Sequence, residues 1–311
     1  MSQHIAIVGA GLVGSGWAIV FARAGQQVRV YDSSADILEG FTALVRGQLD
    51  DLKSHGLIDD VEDVLNRMEI CQTLEAAVSG ARYVQESVFE RQDVKTEINA
   101  LISPLLEDNA IVGSSTSGIP ASAFTEGLPN RERFVVAHPV NPPYLAQVVE
   151  IVPAPWTSKE TVSTAMALMK DVDQAPILVR REVEGFVLNR LQGVLLREAW
   201  ALFEEGYASL EDIYTTISKG LGLRWSFMGP FETIDMNAPG GIADYAERLG
   251  PLYHAIQASR KSPEPWSAEL ISKVESEQRT TLAADNLDAR RTWRDRRLMA
   301  LAAHQAGQPE E

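Results

Sequence analysis

The hexapeptide Gly9-Ala10-Gly11-Leu12-Val13-Gly14 constrains this chain more than any other segment. It stands between the apolar run Ile5 to Val8 and a helix-compatible stretch, Ser15 to Ala24, that Gly25 stops. At this spacing the first glycine permits a tight turn, the second lets a pyrophosphate approach the backbone, and the third lets helix and strand pack closely. The pattern alone is weak. Here it follows a strand-like run and opens a helix, and a second β-branched run, Val28 to Tyr31, ends at Asp32. Together these read as a dinucleotide site: amides at the helix start bind phosphate, with Leu12 and Val13 in that first turn, and Asp32 hydrogen-bonds the adenosine ribose diol. A carboxylate there repels the 2′-phosphate of NADP, and Ser33 and Ser34 follow it in place of arginines, so NAD is the expected cofactor.

The rest of the first half repeats the alternation. Asp32 is followed by a long amphipathic helix, Ala35 to Leu52. Further strands are expected at Tyr83 to Val84, Ala110 to Gly113, Phe134 to Ala137, Val148 to Val152 and Ile177 to Val179, with helices at Asp93 to Leu106 and Ser158 to Asp171. Such alternation predicts an α/β architecture, an N-terminal Rossmann-type domain with a doubly wound, mainly parallel sheet. Beyond Arg181 strand signals fade, and from Phe186 the chain reads as helices punctuated by Gly206, Gly220, Gly229-Pro230, Gly240-Gly241 and Ser262-Pro263. The expected division is therefore an NAD-binding domain over 1–183 and an all-helical C-terminal domain over 184–311, ending in a short polar tail from Gly307. Apolar stripes such as Val187 to Leu202 suit burial within a subunit or across a dimer.

Composition narrows the partners. With 28 Lys and Arg against 43 Asp and Glu, the formal net charge of −15 repels nucleic acid and anionic lipid, so an anionic ligand needs a local basic pocket. One cysteine, Cys71, leaves neither an internal disulfide nor a thiolate cluster for metal, and no metal is expected. The Met1-Ser2-Gln3-His4 start has no basic n-region, and charges such as Arg23 and Arg29 interrupt every stretch approaching the ~18 apolar residues of a membrane span. A cytoplasmic protein is expected.

Oxidation of an alcohol by a nicotinamide cofactor needs a group that takes the hydroxyl proton as hydride leaves, and histidine is the natural candidate. Of the five histidines, His4, His55, His254 and His304 read as surface residues, whereas His138 directly follows the strand Phe134 to Ala137, at the carboxyl edge where open α/β sheets bind ligands. It also reads as a loop histidine before Pro139. Ser117, in Gly113-Ser114-Ser115-Thr116-Ser117-Gly118, lies just past another strand and either faces the same crevice or caps the next helix. Glu150 sits in the apolar run Val148-Val149-Glu150-Ile151-Val152, where a carboxylate is costly unless partnered, and an imidazolium is a sensible partner. Asn189 opens the helical half and either meets substrate or is structural, and Arg224 either pairs with a substrate carboxylate or makes a structural ion pair. Glu90 and Lys95, by their residue types alone, read as a solvated charge pair at a helix start.

From the glycine motif through His138-Pro139-Val140-Asn141-Pro142-Pro143-Tyr144, Gly229-Pro230-Phe231-Glu232-Thr233 and Ala289-Arg290-Arg291-Thr292-Trp293-Arg294-Asp295, the chain resembles the 3-hydroxyacyl-CoA dehydrogenase superfamily, and within it the lambda-crystallin or L-gulonate 3-dehydrogenase branch. The resemblance implies that His138 is the base, Glu150 its orienting carboxylate, Ser117 and Asn189 the contacts of the substrate oxygen, and Glu90 and Lys95 neighbours of the nicotinamide. Asn141 in the His138 motif is carried over as a substrate contact. Acyl-CoA members usually carry His-Phe-Phe-Asn-Pro where this chain has His138-Pro139-Val140-Asn141-Pro142, which argues for a small free hydroxy acid over a CoA thioester. The stretch Gly222 to Gly229 also resembles the carnitine dehydrogenase branch. A 3-hydroxyacyl-CoA dehydrogenase and a crystallin-like NAD-binding protein without turnover are the competing readings. The resemblance further implies a homodimer. If His138 is the base, oxidation accelerates with rising pH as the ring loses its proton.

Overall fold

The computed structural model describes residues 4–260 and 264–308. The expected break at Ser262-Pro263, residues Met1 to Gln3 and the last three residues of the polar tail lie outside these. Eight strands form one sheet: β1 (His4–Val8), β2 (Val28–Tyr31), β3 (Met68–Ile70), β4 (Ala81–Glu86), β5 (Ile111–Ser114), β6 (Phe134–Pro139), β7 (Val148–Pro153) and β8 (Ala175–Leu178). Their order is β3-β2-β1-β4-β5-β6-β7-β8. All neighbours are parallel except β6 and β7, which run antiparallel. The sheet is thus the doubly wound, mainly parallel one that the alternation predicts, and the chain order jumps from β1 to β4, the switch at which such sheets open a crevice.

The central strands are buried on both faces, which accounts for their continuous runs of Ile, Val and Ala. The helix Leu12–Arg23 packs its buried Trp17, Phe21 and Val20 on one face, joined by Phe41, Val45 and Leu49 of the helix Ala35–Ser54. A second cluster, built on Val84, Ile102, Val112 and Phe134, fills the other. Ser34 caps the helix Ala35–Ser54 by accepting the amide of Ile37, which also anchors the turn after Asp32. The helix expected at Asp93 to Leu106 runs as Gln92–Ile102 and tightens into a 3-10 turn at Ser103–Leu105, since Pro104 offers no N–H to continue it.

From Leu188 on, the described chain is helical, including Leu188–Glu204, Gly241–Ser259, Ala268–Thr281 and Leu287–Ala306. The chain packs as two compact units, one comprising residues through Gly193 together with those from Ala289 on, the other Val194–Asp288. The end of the chain joins the first unit for a physical reason. Met299 is buried in the same apolar cluster as Val45 and Leu49, and Arg296 pairs with Asp51 at 3.0 Å. Among the described residues no helix is long and apolar enough to cross a membrane.

Met299→Ala is expected to lower unfolding free energy by about 2–4 kcal/mol in urea titrations, because it opens a cavity in a packed cluster. Arg296→Ala, at a solvent-exposed pair, is expected to change it by less than about 1 kcal/mol.

Candidate active site

Two adjoining cavities lie along the carboxyl ends of the parallel strands. The first, about 490 Å³, is lined by Gly9, Gly11, Leu12, Val13, Asp32 and Ser33 among others. The glycines behave as the motif requires. Gly9 has a φ of +100°, and a Cβ at Gly14 would come within 1.8 Å of the Gly9 carbonyl oxygen, so only glycine lets the helix start this close to β1. A Cβ at Gly11 would meet nothing within 4 Å, which leaves open space over the helix start. Asp32 accepts the amide of Ala10 at 2.7 Å and that of Ser34 at 2.9 Å, so its carboxylate ties the glycine turn to the end of β2.

The second cavity, about 530 Å³, shares Val13, Ser87 and Val88 with the first and adds Glu90, Ser117, His138 and Asn141. His138 is buried at the end of β6, and the antiparallel register sets it directly opposite Glu150 on β7. Its Nδ1 lies 2.7 Å from Glu150 Oε2. Glu150 Oε1 accepts the amides of Val187 at 2.8 Å and Leu188 at 2.9 Å. Burial would raise the Glu150 pKa, but the hydrogen bond with His138 and the two amides outweigh it and hold the carboxyl below the usual glutamate range. The ring nitrogen Nε2 of His138 has no protein partner among the described residues. Phe186, fully buried at a φ of 50°, stands with its ring centroid 5.8 Å from that of His138. A positive φ is strained for a side chain of this size, and the turn it makes after Gly185 is what brings the following amides onto Glu150.

Glu90 organises the loop after β5. Its Oε1 accepts the Thr116 hydroxyl at 2.7 Å, the Ser117 amide at 2.8 Å, the Ser117 hydroxyl at 3.1 Å and the Gly118 amide at 3.1 Å. Burial opposes its charge, yet the Thr116 hydroxyl, the Lys95 ammonium and the Ser117 donors keep its pKa low. The Asn189 amide donates to the Ser117 carbonyl at 2.7 Å.

His138, Glu150, Ser117, Asn189, Glu90, Lys95 and Asn141 are therefore brought together within the first compact unit, and Gly9 to Gly14 with Asp32 line the adjoining groove. Arg224 belongs to the second unit, exposed and without an ion-pair partner among the described residues. The solvated pair that residue types suggest for Glu90 and Lys95 is corrected by the fold, because Lys95 is only 1% exposed and lies between Glu86 and Glu90. Glu86 and Thr116 are additions that sequence reasoning missed. For Glu86 the signal was present: like Asp32, it is an acid closing a parallel strand at the crevice edge. Among the described residues no group of three or more His, Cys, Asp or Glu side chains is set to hold a metal.

A carboxyl whose pKa is depressed by folding adds stability above the ordinary glutamate range and loses it as pH falls through the depressed value. Glu150→Gln is accordingly expected to flatten the decline of the urea midpoint on acidification; identical slopes in both proteins would mean that these donors do not hold Glu150 ionised.

Comparison with known proteins agrees with this layout. The NAD-binding domain of 3-hydroxyacyl-CoA dehydrogenase matches residues 4–183 and the C-terminal domain of the same family matches 185–281. A human lambda-crystallin homolog is 39% identical over 96% of this chain and 95% of its own length. An L-carnitine dehydrogenase of Pseudomonas putida is 34% identical, covering 96% and 92%. The crystal structure of 5-formyl-3-hydroxy-2-methylpyridine 4-carboxylic acid 5-dehydrogenase, an NAD+-dependent dismutase, superimposes with a TM-score of 0.85 at 27% identity, over 99% of this chain and 100% of that one. The chain belongs to the 3-hydroxyacyl-CoA dehydrogenase family, with NAD as its cofactor.

Proposed function

We propose that the chain oxidises the 3-hydroxyl of a small hydroxy acid, as an L-gulonate 3-dehydrogenase does, with His138 as the base. The observation that carries this reading is the dyad: an imidazole backed by a buried, ionised Glu150, with its other nitrogen turned to a cavity that continues the dinucleotide groove. In this reading Gly9, Gly11, Leu12, Val13 and Gly14 hold the pyrophosphate and Asp32 the ribose diol. Bound NAD supplies the hydride acceptor. Nε2 of His138 takes the hydroxyl proton, and Glu150 offsets the imidazolium charge that results. The Ser117 amide stays fixed on Glu90, and its hydroxyl, which donates to Glu90 here, turns to donate to the substrate oxygen when substrate is bound. Asn189 spends one N–H on the Ser117 carbonyl and keeps the other for the developing alkoxide. Glu90, Lys95 and Asn141 frame the nicotinamide end and the substrate.

The free acid is favoured over the thioester by Pro139-Val140 after His138, and by the likeness to a dehydrogenase named for carnitine, itself a 3-hydroxy acid. We assign the protein to the cytoplasm as a homodimer. Exposed apolar side chains of the second unit, such as Tyr207, Phe227 and Phe231, give it surface to bury against a second copy, which light scattering would register.

NAD reduction with L-gulonate, carnitine, 3-hydroxybutyrate and 3-hydroxybutyryl-CoA tests the substrate class. Turnover of a free acid is expected; turnover of the thioester alone would make the protein an acyl-CoA dehydrogenase, and NADH binding without any turnover would make it a crystallin-like binding protein. His138→Gln is expected to lower kcat by about 10²–10⁴-fold while NADH still binds, as followed by fluorescence titration. Unimpaired turnover in that variant would remove His138 from the chemistry.

A further inference from the structure

Glu86 has no part in the reaction just described, yet it is completely buried at the crevice end of β4. Its carboxylate accepts Lys95 Nζ at 3.0 and 3.3 Å, the Val88 amide at 2.9 Å, and the hydroxyl of Ser114, its direct neighbour across the β4–β5 pairing. A buried carboxylate with a full set of donors can be no more than a satisfied structural group. What separates Glu86 from that case is where Lys95 leads. The ammonium also stands 3.5 Å from Glu90 Oε2, while the other Glu90 oxygen holds the Thr116 hydroxyl, the Ser117 amide and hydroxyl and the Gly118 amide. One buried cation therefore lies between two carboxylates, one fixed in the sheet and one carrying the loop that presents Ser117 to the cavity containing His138.

We propose that Glu86 is a positioning residue: by fixing Lys95, and through it Glu90, it sets where the Ser117 hydroxyl stands in the active-site cavity. The proposal rests on the reading that Ser117 contacts the substrate oxygen. Removing the Glu86 charge leaves Lys95 with Glu90 as its sole anionic partner among the described residues. Glu90 then turns toward the ammonium at the expense of the four donors on its other oxygen. The effect reaches the substrate through geometry, without any contact between Glu86 and the reacting atoms.

Glu86→Gln tests this. For whichever acid of the panel gives the most NADH, kcat/KM is expected to fall about tenfold, while NADH affinity falls by less, because the glycine turn and Asp32 that hold the pyrophosphate and ribose are untouched. Glu90→Gln is expected to show a similar loss, and the double variant Glu86→Gln/Glu90→Gln to be no more than about threefold worse than the weaker single variant, since both act along one chain of contacts. A crystal structure of Glu86→Gln reads the displacement without any substrate, with the Ser117 hydroxyl withdrawn from Glu90. Should that variant not fold, Glu86→Asp keeps the charge, draws it back by one methylene and carries the same expectations. A purely structural ion pair predicts the opposite: a lower melting temperature, an unmoved Ser117 and unchanged kcat/KM in the folded protein, and any folded variant with that outcome overturns the proposal. His138→Gln assayed alongside separates the two failures. If it stays active, the active-site reading falls; if it is inactive while the Glu86 variants are unaffected, Glu86 alone loses its role.

Discussion

The antiparallel pairing of β6 with β7 is the constraint on which the candidate site depends. In a sheet whose other pairings are parallel, this one reversal places His138 and Glu150 directly opposite on the same face, where their side chains meet without any loop to position them. A slip of one residue would turn Glu150 to the opposite face and leave a carboxylate among apolar neighbours, so the register is enforced as much by the cost of a stranded charge as by the apolar alternation of the strands. Glu150 also needs its second oxygen satisfied, and the amides that do so come from the turn at Gly185 and Phe186. The strain of a positive φ at Phe186 and the ionisation of Glu150 are thus two sides of one local arrangement.

The cofactor groove has a similar economy. Gly14 is held to glycine by the Gly9 carbonyl, whereas Gly11 faces open space; one glycine serves packing and the other access. Asp32 is held by the amides of Ala10 and Ser34, which fixes its carboxylate beside the glycine turn. Because β1, β2, β4 and β5 all end at this crevice, residues that close those strands, Asp32, Glu86 and Ser114 among them, are gathered there by topology alone.

Much of this was legible from the residues. The long apolar runs announced the central strands, the glycines and Asp32 announced the groove, and an acid inside Val148 to Val152 pointed to an imidazole partner. What stayed illegible was decided by contacts distant in sequence. β3, Met68–Ile70, is a three-residue edge strand, only partly buried, and carries no alternation long enough to detect. Lys95 looks solvated in sequence because it stands among the charged residues at the start of its helix, between Asp93 and Glu97, and its burial follows from its contact with Glu86 at the end of β4. The return of the last helix to the first unit involves Met299, the buried residue of that helix, in a segment whose arginine-rich first half and apolar second half give little sign of a single buried face.

The two amides on Glu150 also bear on where one domain stops. A boundary drawn by family likeness falls at residue 183, but the donors that complete the Glu150 carboxylate are Val187 and Leu188, on the far side of it. A nucleotide-binding fragment cut at that boundary would keep its sheet and expose the hollow beneath its histidine, with an acid left to find water or a proton. The physical edge of the first unit therefore lies inside the helix Leu188–Glu204, and the unit that carries the candidate site is not separable at the point where the two family domains join.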